Sequence, residues 1–117
     1  MTKTSYRSGL DAERKCRWAL RLKFYRILAE RYKTPAGEID IIAARGNTVV
    51  AVEVKARATQ EAAMEAVSTR QQSRIAKALQ YFLMRSSKYA KADLRFDVML
   101  SMPGRWPRHI ENAWRVD

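Results

Sequence analysis

The sequence predicts an α/β fold in the order helix, three strands, helix, strand. Three observations point there. Apolar residues recur at helical spacing over Gly9–Leu22 and again over Ala62–Met84. Between them, two runs rich in Ile, Val and Ala flank the dipeptide Gly46-Asn47, which is the signature of a tight hairpin. Beyond the second helix, Leu94–Met102 alternates with Phe96, Val98 and Leu100 on one side and Arg95 and Asp97 on the other, as a half-buried strand does.

Met1–Tyr6 is read as a short polar tail, with Ser5 or Ser8 capping the first helix. In that helix Leu10, Ala12, Cys16, Ala19 and Leu20 form the apolar stripe, and Glu13 falls on or beside it. An inward acid needs a partner or a task, unless it serves only the helix terminus. Phe24–Tyr32 is rich in β-formers and is expected to be the first strand, and Lys33–Gly37, with Pro35 and Gly37, is a turn. The hairpin adds two strands, giving an antiparallel meander of three. Ser68 or Thr69 is expected to cap the long helix, whose basic flank comprises Arg70, Arg74, Lys77 and Arg85. Ser86–Asp93 is a loop, Pro103-Gly104 a turn, and His109–Val116 a short edge strand or turn. Trp106 and Trp114 are read as lids on the core in preference to base-stacking platforms.

With Gly46 and Asn47 as the loop, Arg45 faces Thr48, and counting outward sets Asp40 opposite Glu53 and Glu38 opposite Lys55. A strand period of two then puts all four on one face. Directly opposed side chains stand about 4.5–5.5 Å apart at Cβ, and opposed like charges destabilise a hairpin unless something compensates. A divalent cation is one such compensation, because carboxylates, a backbone carbonyl and retained waters are what Mg²⁺ or Mn²⁺ prefers. Lys55 beside it would hold a water or offset developing negative charge. The alternative is a solvent-facing hairpin with a Glu38–Lys55 pair.

The whole chain narrows the choice. Its 117 residues, 47% of them hydrophobic, suit one domain with one core. A single cysteine, Cys16, rules out an internal disulfide and a cysteine zinc cluster and fits a reducing compartment. His109 is the only histidine, so Ser-His-Asp or Cys-His chemistry has little to build on. No apolar run reaches the roughly 18 residues of a membrane span and no signal-peptide core is present, so a cytoplasmic location is expected. Twenty-three Lys and Arg against 12 Asp and Glu give a net charge of +11, which favours a polyanionic partner, nucleic acid first. Attraction to a membrane surface is set aside because no amphipathic helix with an exposed aromatic face is evident.

Asp40, then Glu53-Val-Lys55 on the next strand, and Glu13 on a preceding helix resemble the PD-(D/E)XK nuclease superfamily, and within it the archaeal Holliday-junction resolvases. The chain is most similar to the YraN family of small bacterial proteins described as predicted endonucleases. The residues bearing this likeness are Gly9 with Ala12-Glu13, Gly37–Ile42, Val52–Arg57, Glu65–Val67, Arg95–Val98, His109-Ile110 and Asn112–Trp114. They span nearly the whole chain, in order.

The resemblance implies a restriction-endonuclease-like αβββαβ core, a mixed sheet flanked by helices. It implies Asp40, Glu53 and the Val54 carbonyl as ligands of Mg or Mn, Lys55 as catalytic lysine, Glu13 as accessory acid and Glu38 as a supporting partner to Lys55 or a water. Arg57, Arg70, Arg74 and Lys77 would contact DNA phosphates. Two positions depart from the family pattern: Phe24 stands where many relatives have glycine, which is assigned to packing, and Gln71 stands where many have lysine, which argues against a helix-borne base. The expected activity is metal-dependent hydrolysis of DNA phosphodiester bonds, on branched or repair intermediates, by a homodimer where two cuts are needed. The alternative is a non-catalytic nucleic-acid-binding module or adaptor on the same fold.

Overall fold

The computed structural model describes residues 3–116. Helix α1 (Lys3–Leu22) leads into strands β1 (Arg26–Lys33), β2 (Glu38–Arg45) and β3 (Thr48–Lys55). Helices α2 (Gln60–Glu65) and α3 (Thr69–Met84) follow, then a 3-10 turn at Ser87–Tyr89 and strands β4 (Asp93–Leu100) and β5 (Arg108–Trp114). The five strands form one mixed sheet in chain order, antiparallel except where β3 meets β4 in parallel. A parallel neighbour cannot be reached by a tight turn, so α2 and α3 make the crossover. The α/β fold and the αβββαβ order expected from the sequence are both present, with α2 added and the segment expected as a short edge strand or turn forming edge strand β5.

Three local expectations change. Helix α1 starts at Lys3, so Ser5 and Ser8 lie inside it and not at its N-terminus; Met1 and Thr2 of the expected tail lie outside the described residues. The helical stretch from Ala62 to Met84 is two helices. Thr59 caps the first, accepting from the Ala62 N–H at 3.2 Å, and Ser68 caps the second, accepting from Gln71 N–H at 3.1 Å. Trp114 is a lid, 8% exposed and stacked on Phe96 at 5.3 Å, whereas Trp106 is 62% exposed and covers no core.

The central strands β2 and β3 are apolar on both faces, which is what burial on two sides demands. One face packs Ile41, Ala43, Val50, Val52 and Met99 against Cys16, Ala19 and Leu20 of α1. The other packs Ile42, Ala44, Val49, Ala51 and Val98 against Ile75, Ala78 and Leu79 of α3. Helix α1 stops at a Schellman turn: Tyr25 N–H donates to Leu20 O and Phe24 N–H to Arg21 O, both at 3.0 Å. Among the described residues no helix is long and apolar enough to cross a membrane.

Candidate active site at the split between β2 and β3

Gly46, at φ 60°, turns the hairpin, and the register runs from Arg45–Thr48 to Ile41–Val52 as counted from the sequence. Past that pair the backbone ladder stops. Asp40 and Glu53, next in register, take over with their side chains: Val54 N–H donates to Asp40 Oδ2 at 2.9 Å, and Asp40 N–H donates to Glu53 Oε2 at 3.2 Å. Each carboxylate thus satisfies a backbone donor left over where the strands part. Asp40 and Glu53 stand side by side through these side-chain bonds, but the ladder ends before them and before Glu38 and Lys55, and the expected common face does not hold. Ile39 joins the core under α3 while Ile41 joins the core under α1, so strict alternation fails around Asp40. The ladder to β1 continues on both sides of Asp40, through Glu30–Ile41 and Tyr32–Ile39, so the break in alternation is local, opposite the left-handed Arg31. Asp40 opens into the cavity on the α1 side, and Glu53 meets Gln71 Nε2 of α3 at 3.4 Å.

That cavity, of about 960 Å³, lies between the first half of α1, the split strand ends and the 101–104 loop, with Glu13, Arg14, Arg31, Asp40 and Val54 among its walls. Glu13 is 6% exposed and has found its partner: Arg31 donates through Nε and a terminal nitrogen to Glu13 Oε2 at 3.1 and 2.9 Å. Arg31 sits at φ 47°, a left-handed conformation costly for a residue with a Cβ, about 1–3 kcal/mol. No sequence signal singled out Arg31, because a positive φ away from Gly or Asn leaves none.

The electrostatics are unfavourable to anions. Burial raises the Asp40 carboxyl above its usual range, and the charges of Glu13 and Glu38 raise it further, against the opposing Val54 N–H and Lys55. Glu53 is pushed up to about 8, first by burial and then by the Asp40 charge, with the Asp40 N–H and Lys55 offsetting only part. The neighbouring Cys16 thiol is pushed up to about 12 by burial and then by Asp40 and Glu13. A cation placed between the two carboxylates would offset the part of all three shifts that comes from neighbouring negative charge. The donors present are suited to a hard divalent ion: the Asp40 carboxylate and the Val54 backbone at the cavity wall, with the Glu53 carboxylate bonded to the Asp40 N–H beside them. Among the described residues no three His, Cys, Asp or Glu side chains make a cage, so such an ion would keep several waters or take oxygens from a ligand.

The other expected residues are placed unevenly. Lys55, half-buried, is near enough to act on both acids, whereas Glu38 is exposed and forms no ion pair with it. Gly37 lies close against α3, its would-be Cβ 3.2 Å from Cβ of Arg74, which brings that arginine to the acid end of the sheet. Arg57, Arg70 and Lys77 are exposed. Phe24 is 86% exposed, so its difference from the family pattern is not one of packing.

A second buried acid, which sequence reading placed only on the outer side of its strand, is Asp97 on β4. It is fully buried and accepts from Arg95 Nε and a terminal nitrogen at 2.9 and 2.8 Å and from Asn112 N–H at 2.9 Å; His109 Nε2 stands 2.6 Å away. Asn112, at φ 51°, lies where β5 bulges between its pairings with Phe96 and Val98, which turns its N–H toward the carboxylate. Burial works against ionising Asp97, but the bonds from His109, Arg95 and Asn112 outweigh it and hold the carboxyl below its usual range.

The family model described as uncharacterised protein family UPF0102 matches residues 12–100. The chain is similar to the UPF0102 protein of Parvibaculum lavamentivorans, 52% identical over 111 residues that cover 95% of this chain and 84% of the relative. It is 53% identical to that of Chelativorans sp. over 110 residues, 94% and 89% of the two chains. With that of Bartonella tribocorum the identity is 49% over 113 residues, 97% and 87% of the two.

Proposed function

The chain belongs to the uncharacterised protein family UPF0102, and from that premise we propose that it is a metal-dependent endonuclease of the PD-(D/E)XK type acting on DNA. The observation that supports this reading is the Asp40–Glu53 pair, a half-buried and a buried carboxylate held at a strand split where ionisation is disfavoured and where a cation would favour it. Asp40, Glu53 and the Val54 carbonyl would hold Mg²⁺ or Mn²⁺, which supplies Lewis-acid activation of a phosphodiester. Lys55 would orient the attacking water and offset charge as the phosphorus gains one oxygen and loses another. Glu13 acts through Arg31: the pair fixes a guanidinium at the cavity wall, where it can meet a phosphate. Arg57, Arg70, Arg74 and Lys77 would grip flanking phosphates, so affinity should fall steeply with salt. Branched or repair intermediates remain the substrate class favoured by the likeness to junction resolvases, and a homodimer would serve paired cuts.

A second reading, a nucleic-acid-binding adaptor without catalysis, draws on the Glu13–Arg31 pair, which engages the third acid with a guanidinium in place of a metal. The two separate in one assay. Wild type and Glu53→Gln are incubated with labelled branched, single-stranded and duplex DNA in Mn²⁺, Mg²⁺ or EDTA. The nuclease reading expects metal-dependent cutting that the variant loses by 10²-fold or more with DNA affinity nearly unchanged. Equal binding by both proteins and no cutting by either would leave the adaptor.

A further inference from the structure

Helix α1 presents a second surface that the core does not use and that meets the acid site only at Arg14. Its outward stripe is Arg14, Trp18, Arg21 and Leu22, spaced at one and two turns, and all four are exposed. Trp18 is 55% exposed, Leu22 67% and Phe24, just past the helix end, 86%. The Arg21 guanidinium lies over the Trp18 ring, 5.3 Å from its centroid. Phe24 is also in the wrong place for folding. It occupies the left-handed C′ position of the Schellman turn, at φ 71°, where glycine is favoured because a Cβ costs about 1–2 kcal/mol. A large apolar side chain held in strain and in water is unexplained by packing.

The stripe is continuous with the candidate active site. Arg14 borders both, lining the cavity beside Glu13 and heading the outward row. Along the helix Trp18 lies about 7.5 Å, and Leu22 about 13.5 Å, beyond Glu13, which is the scale of one and two nucleotides of extended strand. An exposed aromatic face on a basic helix, which attraction to a membrane surface requires, is present here. Yet it is three residues wide at most and wraps a helix end, too little to sink into a bilayer interface. A second copy on this face would set one basic helix surface against another.

We propose that the Trp18–Leu22–Phe24 face of α1, with Arg14 and Arg21, binds unpaired nucleic acid, stacking its bases on the two aromatic rings and holding its phosphates with the arginines. Stacking needs bases out of a duplex, so the site selects single-stranded segments, such as the arms or flaps of a branched substrate, and delivers them toward the split strands. The inference rests on the nucleic-acid partner of the proposed function and does not require cleavage.

The test is binding in EDTA, where no cutting occurs. A fluorescent oligothymidylate, an abasic oligonucleotide of equal length and a duplex hairpin are titrated with wild type, Trp18→Ala and Phe24→Gly, with thermal melts in parallel. Both variants should lose about ten-fold or more in affinity for the oligothymidylate and little for the abasic strand or the hairpin. Phe24→Gly should at the same time raise the Tm, so its weaker binding cannot come from a damaged fold. Unchanged oligothymidylate affinity in both variants overturns the proposal. So does binding of wild type to anionic phosphatidylglycerol vesicles in preference to the strand, or a wild-type dimer that Trp18→Ala dissolves. Cleavage retained with variant-insensitive strand binding would refute this inference and leave the nuclease reading intact; strand binding lost in the variants without any cleavage would do the reverse.

Discussion

Asp97 and Glu53 stand on neighbouring strands of the same sheet, both nearly or fully buried, and the protein treats them in opposite ways. Asp97 has donors on every side and its carboxyl is held below its usual range by His109, Arg95 and Asn112. Glu53 has one backbone N–H and a long contact to Gln71, faces the Asp40 charge, and is pushed up to about 8. A buried acid whose needs are met contributes to the fold. One kept in conflict with its surroundings, beside a second in the same state, is kept for something the polypeptide does not itself supply.

The contrast can be broken at either end. The largest effect is expected at the satisfied site: Asp97→Asn leaves Arg95 and His109 without their anion and should destabilise the protein by about 3–5 kcal/mol in urea unfolding. At the unsatisfied site the sign reverses. Glu53→Gln removes a disfavoured charge and should stabilise the metal-free protein by about 1 kcal/mol, while abolishing cleavage.

The pH dependence sharpens the same distinction. Because the folded Asp97 carboxyl titrates below its unfolded value, its contribution is present above about pH 4 and is lost as pH falls through the lowered folded value. Glu53 is raised in the fold, so its contribution is present below its unfolded pKa of 4.5 and is lost as pH rises toward about 8. In EDTA, the stability advantage of Glu53→Gln over wild type should therefore grow between pH 5 and pH 8. A constant difference across that range would contradict the raised Glu53.

Much of this could be read from the residues in line. Gly46-Asn47 fixed the hairpin register, and with it the opposition of Asp40 and Glu53, because a two-residue turn between apolar runs leaves little freedom. The buried Glu13 was evident as an acid on an apolar stripe. What escaped was what depends on a departure from regular geometry. A local break in alternation between Ile39 and Ile41, opposite the left-handed Arg31, turns Asp40 away from the face that strict alternation assigns it. Arg31 reaches Glu13 only from a left-handed backbone, and Asn112 reaches Asp97 only across a bulge. Phe24 looked like packing because an apolar residue between a helix and a strand usually is; only its exposure and positive φ say otherwise.

The central claim is that the Asp40–Glu53 pair is a cation site at which the fold gives up stability. Thermal melts of wild type and Glu53→Gln, with EDTA and with millimolar Mn²⁺, test it directly. The account predicts that Glu53→Gln melts higher than wild type in EDTA, and that Mn²⁺ raises the wild-type Tm by about 5 °C or more while leaving the variant unmoved. A wild type indifferent to Mn²⁺, or a variant that Mn²⁺ stabilises as strongly, would contradict it.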